Sequence, residues 1–228
     1  PSLENPENYI KIIDRSGFFE VTSFSDDDIN RNAMYKANAQ RVKVSKKFEN
    51  YDDYLLSLEM TAEIEEFKAI DLQRITQLTN KSNQFNLTTK RYTQNEIEKI
   101  SSDGNYITLC GRLKDKFGDN GIVSVVIGRK ENDALHIDLW LMSCRVLKRN
   151  MEYAMLDCLV SEAKLQGIRK IYGYYLKTKK NSMVKSLFSD FGFEKISEDI
   201  EENTVWEMDI KNYIPKNNLI TVKQTQKV

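Results

Sequence analysis

Three cations, Arg145, Lys148 and Arg149, fall in the run MSCRVLKRN at positions 142–150. The residues before it, 135–141, read as a buried strand. After it, Met151, Ala154, Met155, Cys158, Leu159 and Ala163 keep the i, i+3, i+4, i+7 spacing of a core-facing helical stripe. The cations therefore crowd a helix N-terminus, where the backbone dipole is already positive and each costs about 0.3–1 kcal/mol unless an anion faces it. Open amides, a positive dipole and cations in one turn make a phosphate site. The alternative is a solvated basic turn that tolerates the repulsion.

Cys144 stands in the same turn. Cations and a helix N-terminus are the surroundings that activate a cysteine, so Cys144 is a candidate acyl-carrying nucleophile, against the reading of a small buried residue at a strand end. It lacks an evident base. The single histidine, His136, lies eight residues back on the same arm, roughly 26 Å away in extended chain, and reads as a strand-surface residue. Asp115 and Asp119, around Phe117-Gly118, are candidates for a general base, although turn formation explains them too. Cys144 and Asp119 are the catalytic candidates. Asn83, Gln84 and Asn86 gather amides that could hydrogen-bond a hydroxylated acyl chain or cap a loop. Asn181, ahead of Ser182-Met183-Val184, reads physically as a helix N-cap.

The elements that must position these groups follow from periodicity. Helices are expected at 9–18, 27–43 and 51–67, the second opened by Ser25 and Asp26 to Asp28. A serine cap with first-turn carboxylates accounts for that acidic run better than a metal or phosphatase cluster does. From Phe85 the texture becomes strand-like: 85–89, a short helix at 95–101, and strands at 106–113, 122–127 and 135–141 forming an antiparallel meander. Asn120-Gly121 reads as the first hairpin turn. A helix at 150–166, a strand at 168–175, a helix at 181–191 and strands at 193–197 and 204–210 complete an α+β sheet, and the polar tail after Tyr213 is expected to be poorly ordered.

Composition narrows the function classes. Thirty-four Lys and Arg are matched by 34 Asp and Glu, so no global field draws the chain to nucleic acid or an anionic membrane, and any anion site must be local. The Lys177-Thr178-Lys179-Lys180 run has no interleaved aromatic platform for nucleic acid. Three cysteines at uneven spacing and one histidine predict a reducing compartment and no metal site. No apolar run approaches the ~18 residues of a spanning helix, which predicts a soluble, cytoplasmic protein. The opening Pro1-Ser2-Leu3-Glu4-Asn5-Pro6, without a methionine, predicts a fragment or processed product of something longer.

The strand, Arg145-Val146-Leu147-Lys148-Arg149-Asn150 and the following helix resemble the pyrophosphate loop of the GNAT superfamily of N-acetyltransferases, whose pattern is [Q/R]-x-x-G-x-[G/A]. Residues 81–92, 115–121, 143–147 and the stretch from Tyr175 through Thr178 and Asn181 to Gly192-Phe193 are similar to the C-terminal region of FkbH-like proteins, over about residues 9–193. The resemblance implies a GNAT-like, mostly antiparallel mixed sheet flanked by helices. It implies a helical N-terminal segment at 1–75, an acyltransferase domain at 76–213 and a tail at 214–228. It also implies binding of acetyl-coenzyme A or a phosphopantetheine thioester by Met142, Arg145, Val146, Lys148, Arg149, Asn150 and Asn181, without a metal. The implied partners are an acyl carrier protein and a HAD-like phosphatase module upstream, in the glyceryl-loading step of polyketide biosynthesis. The pattern's two glycines are Lys148 and Asn150 here, and Phe188 occupies the place of the tyrosine that protonates the leaving thiolate in many of these enzymes. Those departures favour the alternative of a non-catalytic module that docks a carrier arm.

Overall fold

The computed structural model describes residues 31–223 together with Tyr9, Ile10 and Arg15. Apart from those three, which are helical, the expected helix at 9–18 and the cap at 25–28 lie outside the described residues. The elements are α1 (Arg31–Ser45), α2 (Tyr51–Ser57), β1 (Thr61–Glu65), α3 (Leu72–Lys81), β2 (Phe85–Asn86), α4 (Gln94–Ser102), β3 (Tyr106–Asp115), β4 (Gly118–Glu131) and β5 (Ala134–Met142). They continue with α5 (Met151–Leu165), β6 (Lys170–Tyr175), α6 (Leu187–Asp190), β7 (Glu194–Glu198), β8 (Thr204–Asp209) and β9 (Thr221–Lys223).

The strands form one mixed sheet in the order β7-β8-β6-β5-β4-β3-β1-β9, with β2 paired to β5. Pairing is antiparallel except for β5 with β6 and β1 with β9. Two apolar layers sandwich the sheet. On one face α5 lays Met151, Met155, Leu156 and Leu159 against the strands, joined by Leu187, Phe188 and Phe191. On the other, α3 contributes Leu72, Ile75 and Leu78, and α4 contributes Ile97. The helix starts follow local chemistry: Thr93 and Glu96 form a reciprocal capping box on α4, and Asn50 caps α2 through the Asp52 amide.

A bulge in β5 shapes the site. Ile127 pairs with Leu139 and Gly128 with Ile137, so Asp138 is an extra residue that shifts the side-chain alternation. Leu135 and Ile137 point to the α5 layer, Leu139 and Leu141 to the α3 layer, and Trp140 and Met142 return to α5. Beyond the bulge β5 parts from β6, their pairing ending at His136 and Tyr172.

Four expectations are corrected. The first hairpin turns at Lys116-Phe117, and Asn120-Gly121 instead forms a bulge inside β4, since Lys114 pairs with Asp119 and Arg112 with Ile122. Gly121 takes the left-handed φ of 65° the bulge demands, and Asn120 Nδ2 donates to Leu113 O at 3.2 Å. The helix expected through 67 stops at Ser57: Glu59 is left-handed, and 61–65 becomes an inner strand between β3 and β9. The tail adds β9 to the sheet, its approach pinned where the Lys216 and Asn217 amides donate to the Asp157 carboxylate. The expected helix at 181–191 divides into a 3₁₀ turn, Ser182–Val184, and the short α6.

Candidate functional site

The β5–α5 connection keeps the backbone shape of a glycine loop without its glycines. Lys148 and Asn150 both adopt left-handed φ, 63° and 61°. Such geometry costs an ordinary side chain about 1–2 kcal/mol, less for asparagine. The surroundings hold it: Tyr51 Oη, from α2, donates to the Lys148 carbonyl at 2.8 Å. Burial, followed by the neighbouring Tyr54, pushes the Tyr51 phenol up, which keeps it a donor.

The three cations of this connection part company. Arg149 is buried and turns inward, Nη1 to Asp115 Oδ2 at 3.1 Å and Nη2 to the Arg145 carbonyl at 2.8 Å. Asp115 also receives Arg41 of α1 in a two-pronged pair at 2.8 and 2.9 Å, and the Phe117 amide at 2.9 Å. A buried carboxylate thus ties α1, the β3–β4 turn and the β5–α5 connection into one cluster. Desolvation, then the neighbouring Arg41, lowers the Arg149 guanidinium from its usual range, and Asp115 opposes them. Arg145 stays partly exposed, with Nε on Ser143 Oγ at 3.2 Å, and Lys148 is exposed. Val146 is buried in the core.

At the first turn of α5, Glu152 adds an acid: one oxygen, Oε2, is buried without a hydrogen-bond partner, although part of the side chain reaches the surface. Desolvation pushes its carboxyl above the ordinary range.

The gap where β5 and β6 part is filled by the chain itself. Phe85 pairs with Met142 and Asn86 with Leu141. The Leu87 amide donates to the Trp140 carbonyl at 3.1 Å, and the Leu176 amide donates to the Leu87 carbonyl at 2.8 Å. Thr88 Oγ1 reaches the Asp138 carbonyl at 2.8 Å. Asn181 clasps this insertion. Its Nδ2 donates to the Asn86 and Leu176 carbonyls, both at 2.9 Å, and its Oδ1 accepts from the Thr178 amide and hydroxyl at 2.8 and 3.0 Å. Two donors and two acceptor positions exhaust an asparagine. It caps no helix and has no capacity left for an arm while the insertion is in place.

Asn86 is likewise buried, its Oδ1 accepting from the Thr89 amide at 2.8 Å. Phe188 is fully buried against β6, where a Cβ on Gly173 would come within 2.3 Å of its ring, so this position is core.

An open groove of about 1010 Å³ lies on the α1 side of the end of β5. It brings together Met142, Cys144 and Arg145 with Asn83 and Gln84. Asp119 is elsewhere, exposed on the wall of a smaller cavity of about 370 Å³ and held by the Gly121 amide at 2.7 Å and Lys114 at 3.1 Å. Cys144 is the exposed thiol of the three. Burial pushes Cys110 up to about 12 and Cys158 to about 11, so both stay protonated. His136 is bound up with its strand neighbours, Nδ1 2.6 Å from Tyr174 Oη and its ring stacked on Tyr172 at 4.9 Å. Burial and then Arg129 hold it below its ordinary value. Among the described residues no group of three His, Cys, Asp or Glu could hold a metal, and no helix is long and apolar enough to cross a membrane.

Sequence reasoning missed the groove's other walls. Tyr35, Asn38 and Arg41 come from α1, and Arg74 and Lys81 from α3. The three α1 residues share one side of a helix at i, i+3 and i+6, the only local signal that they act together.

No family model matches the chain, and no curated protein is similar to it in sequence. Solved structures are similar in fold. The ribosomal-protein-S18-alanine N-acetyltransferase of Escherichia coli aligns with 68% of this chain and 99% of its own, at 11% identity and a TM-score of 0.50. The GNAT domain of S. lividans PAT aligns with 64% and 89%, at 13% identity and 0.51. The spermidine/spermine N-acetyltransferase SpeG of Vibrio cholerae aligns with 68% and 96%, at 13% identity and 0.51. The chain therefore has a GNAT-like α+β fold, and at these identities its chemistry must be argued from its own residues.

Proposed function

We propose that this chain is an acyltransferase-type domain that handles a coenzyme A or phosphopantetheine thioester, and that it forms the C-terminal part of an FkbH-like glyceryl-loading protein acting with an acyl carrier protein. One observation carries the reading: a bulged β5 ends at Met142, two residues before an exposed Cys144, and the chain passes through two left-handed residues into α5, which supports a GNAT-type turn built without its glycines. In this reading the arm approaches across Met142 to Arg145, because the strand edge behind them is filled by β2. Cys144 Sγ loses its proton to solvent and attacks the acyl carbonyl, a tetrahedral intermediate forms, and the carbonyl–sulfur bond to the donor breaks; the donor leaves as its thiolate, which takes up a proton from solvent, and an acyl-Cys144 thioester remains. An amine, hydroxyl or carrier thiol then attacks that carbonyl and gives its proton to solvent, and the bond to Cys144 Sγ breaks, freeing the cysteine. Positioning supplies most of the rate, since the described residues place no histidine or aspartate beside the thiol. Asn83 and Gln84 face the acyl group.

The second reading is a non-catalytic module that docks a carrier arm for a HAD-like phosphatase partner. It is favoured by the filled strand edge and by Phe188, which cannot donate a proton. Mass spectrometry after mixing the chain with an acyl-loaded carrier separates the two. An acyl adduct on Cys144, lost in Cys144→Ser, supports catalysis; carrier binding with no adduct supports docking. Binding of neither carrier nor acetyl-coenzyme A contradicts both.

A further inference from the structure

Cys144 opens a single 3₁₀ turn, Cys144–Val146, that follows Ser143. Ser143 is anchored to the sheet, its amide donating to the Val123 carbonyl at 2.7 Å, and its Oγ accepts from the Arg145 amide at 3.4 Å. Its carbonyl accepts from the Val146 amide at 3.2 Å, and the Val146 side chain is buried in the core. The hydrogen bonds of a 3₁₀ turn are poorly aligned, so one winding by itself fixes its residues weakly. The exposed thiol carried by this turn lines the groove walled by α1, α3 and residues 179–180.

Arg149 supplies the missing rigidity. Its Nη2 reaches back four residues to donate to the Arg145 carbonyl at 2.8 Å, one residue after the thiol, while Nη1 donates to Asp115 Oδ2 at 3.1 Å. Asp115 has a fixed position of its own: its side chain is wholly buried, Arg41 grips it at two points, and Oδ1 accepts from the Phe117 amide. The guanidinium is therefore locked to the β3–β4 turn on one side and clasps the backbone of the Cys144 turn on the other. A planar fork of separate donors can hold a carboxylate and a carbonyl together, whereas an ammonium on a flexible stem is a point charge with no such geometry. Buried ion clusters are a weak source of stability, so this one is better explained by what it holds still.

We infer that Arg149, oriented by Asp115, is the positioning residue for Cys144. The inference rests on the acyl-transfer reading, in which Cys144 Sγ attacks the thioester. Arg149 is buried and acts only through the Arg145 carbonyl. It fixes the 3₁₀ turn so that Sγ stands at one distance and in one direction from the acyl carbonyl. Reactions that depend on such placement lose about a hundredfold for a displacement of about 1 Å.

Timed mass spectrometry of Cys144 acylation in the full chain, with acetyl-coenzyme A and an acetyl-loaded carrier protein as donors, tests it. Arg149→Lys keeps a positive charge beside Asp115 and removes the second arm. It should lower the acylation rate at saturating donor at least about tenfold and leave the half-saturating donor concentration unchanged. Asp157→Asn is the control for lost stability, because Asp157 holds Tyr213, Lys216 and Asn217 of the tail and has no part in the turn. It should keep the parent rate even where it lowers the melting temperature as much. Iodoacetamide should alkylate Cys144 at the parent rate in both variants, since a small electrophile meets an exposed thiol from many directions. If Arg149→Lys does not fold, Asp115→Glu takes its place, keeping the charges, moving the carboxylate by one methylene and lowering the saturating rate in the same way. An unchanged rate in the variant, or an equal fall in Asp157→Asn, overturns the inference while the acyl-transfer reading stands. A fall matched by slower alkylation overturns it as well, by assigning the effect to the thiol itself. Absence of any adduct in the parent chain removes the acyl-transfer reading and this inference together.

Discussion

The two guanidiniums that flank the turn, Arg145 and Arg149, are four residues apart and meet opposite fates. Arg149 is sealed against Asp115 beside Arg41, while Arg145 stays at the edge of an open groove with Cys144. A cation at a helix N-terminus is unfavourable wherever nothing negative faces it. This chain resolves the conflict at Arg149 with its own carboxylate, and keeps Arg145 apart from that cluster with its Nε on Ser143 Oγ at 3.2 Å. A basic motif is therefore not a single site, and each cation must be assigned by what lies opposite it.

The widest separation between the two regions should appear in stability. Asp115→Asn leaves two buried guanidiniums without a charge partner and should cost about 3–5 kcal/mol in urea unfolding. Arg145→Ala should change stability by about 0.5 kcal/mol or less, as a substitution away from the core. Equal losses would erase the distinction. Next in size is Asn181→Ala, which removes the clasp on the inserted segment and strands buried carbonyls, at a cost of about 2–3 kcal/mol. Hydrogen exchange at the Leu87 and Leu176 amides should accelerate with it; unchanged exchange would mean the insertion is held by its strand bonds alone.

A smaller effect concerns Glu152. Its folded-state value is raised, so the protonated form is favoured on folding. Its contribution is fully present below the unfolded carboxyl value of about 4.3 and is lost as pH rises through the folded one. Glu152→Gln should therefore be more stable than the parent chain at pH 7, by about 1 kcal/mol, with the gain gone near pH 4. A gain independent of pH would assign the effect to packing. Smallest is Lys148→Gly, which relieves left-handed strain but loosens the unfolded chain, for a net gain of about 0.5 kcal/mol by thermal unfolding. A loss would show that the lysine side chain itself supports the turn.

Much of the sheet was legible in the sequence because its strands carry their own periodicity. The meander of β3, β4 and β5, the α5 stripe from Met151 to Ala163 and the closing β7–β8 pair all lie where residue alternation puts them. Legibility failed where partners are distant or local signals compete. Asn120-Gly121 is hairpin chemistry, yet β3 runs on to Asp115, so the turn closes earlier and the pair becomes a bulge. Residues 61–65 continue an apolar spacing that fits a helix, and only a left-handed Glu59 and an edge offered by β3 make them a strand. In the site, Cys144, Arg145, Asn83 and Gln84 share a cavity although 60 positions separate its walls. The inward turn of Arg149 depends on Asp115, 34 positions away, and on Arg41, 74 positions from that aspartate. No spacing rule reaches so far, and the same holds for β2, whose short FN pair gives no sign that it will plug a parted sheet.

Hydrogen–deuterium exchange on the chain with and without a holo acyl carrier protein tests the central division most directly. The account predicts added protection at 81–84, 142–145 and 179–180, with 148–153 and the 85–88 insertion unchanged. Protection of 148–153 accompanied by faster exchange at 85–88 would contradict it, placing the ligand in the parted sheet and on the α5 N-terminus after all.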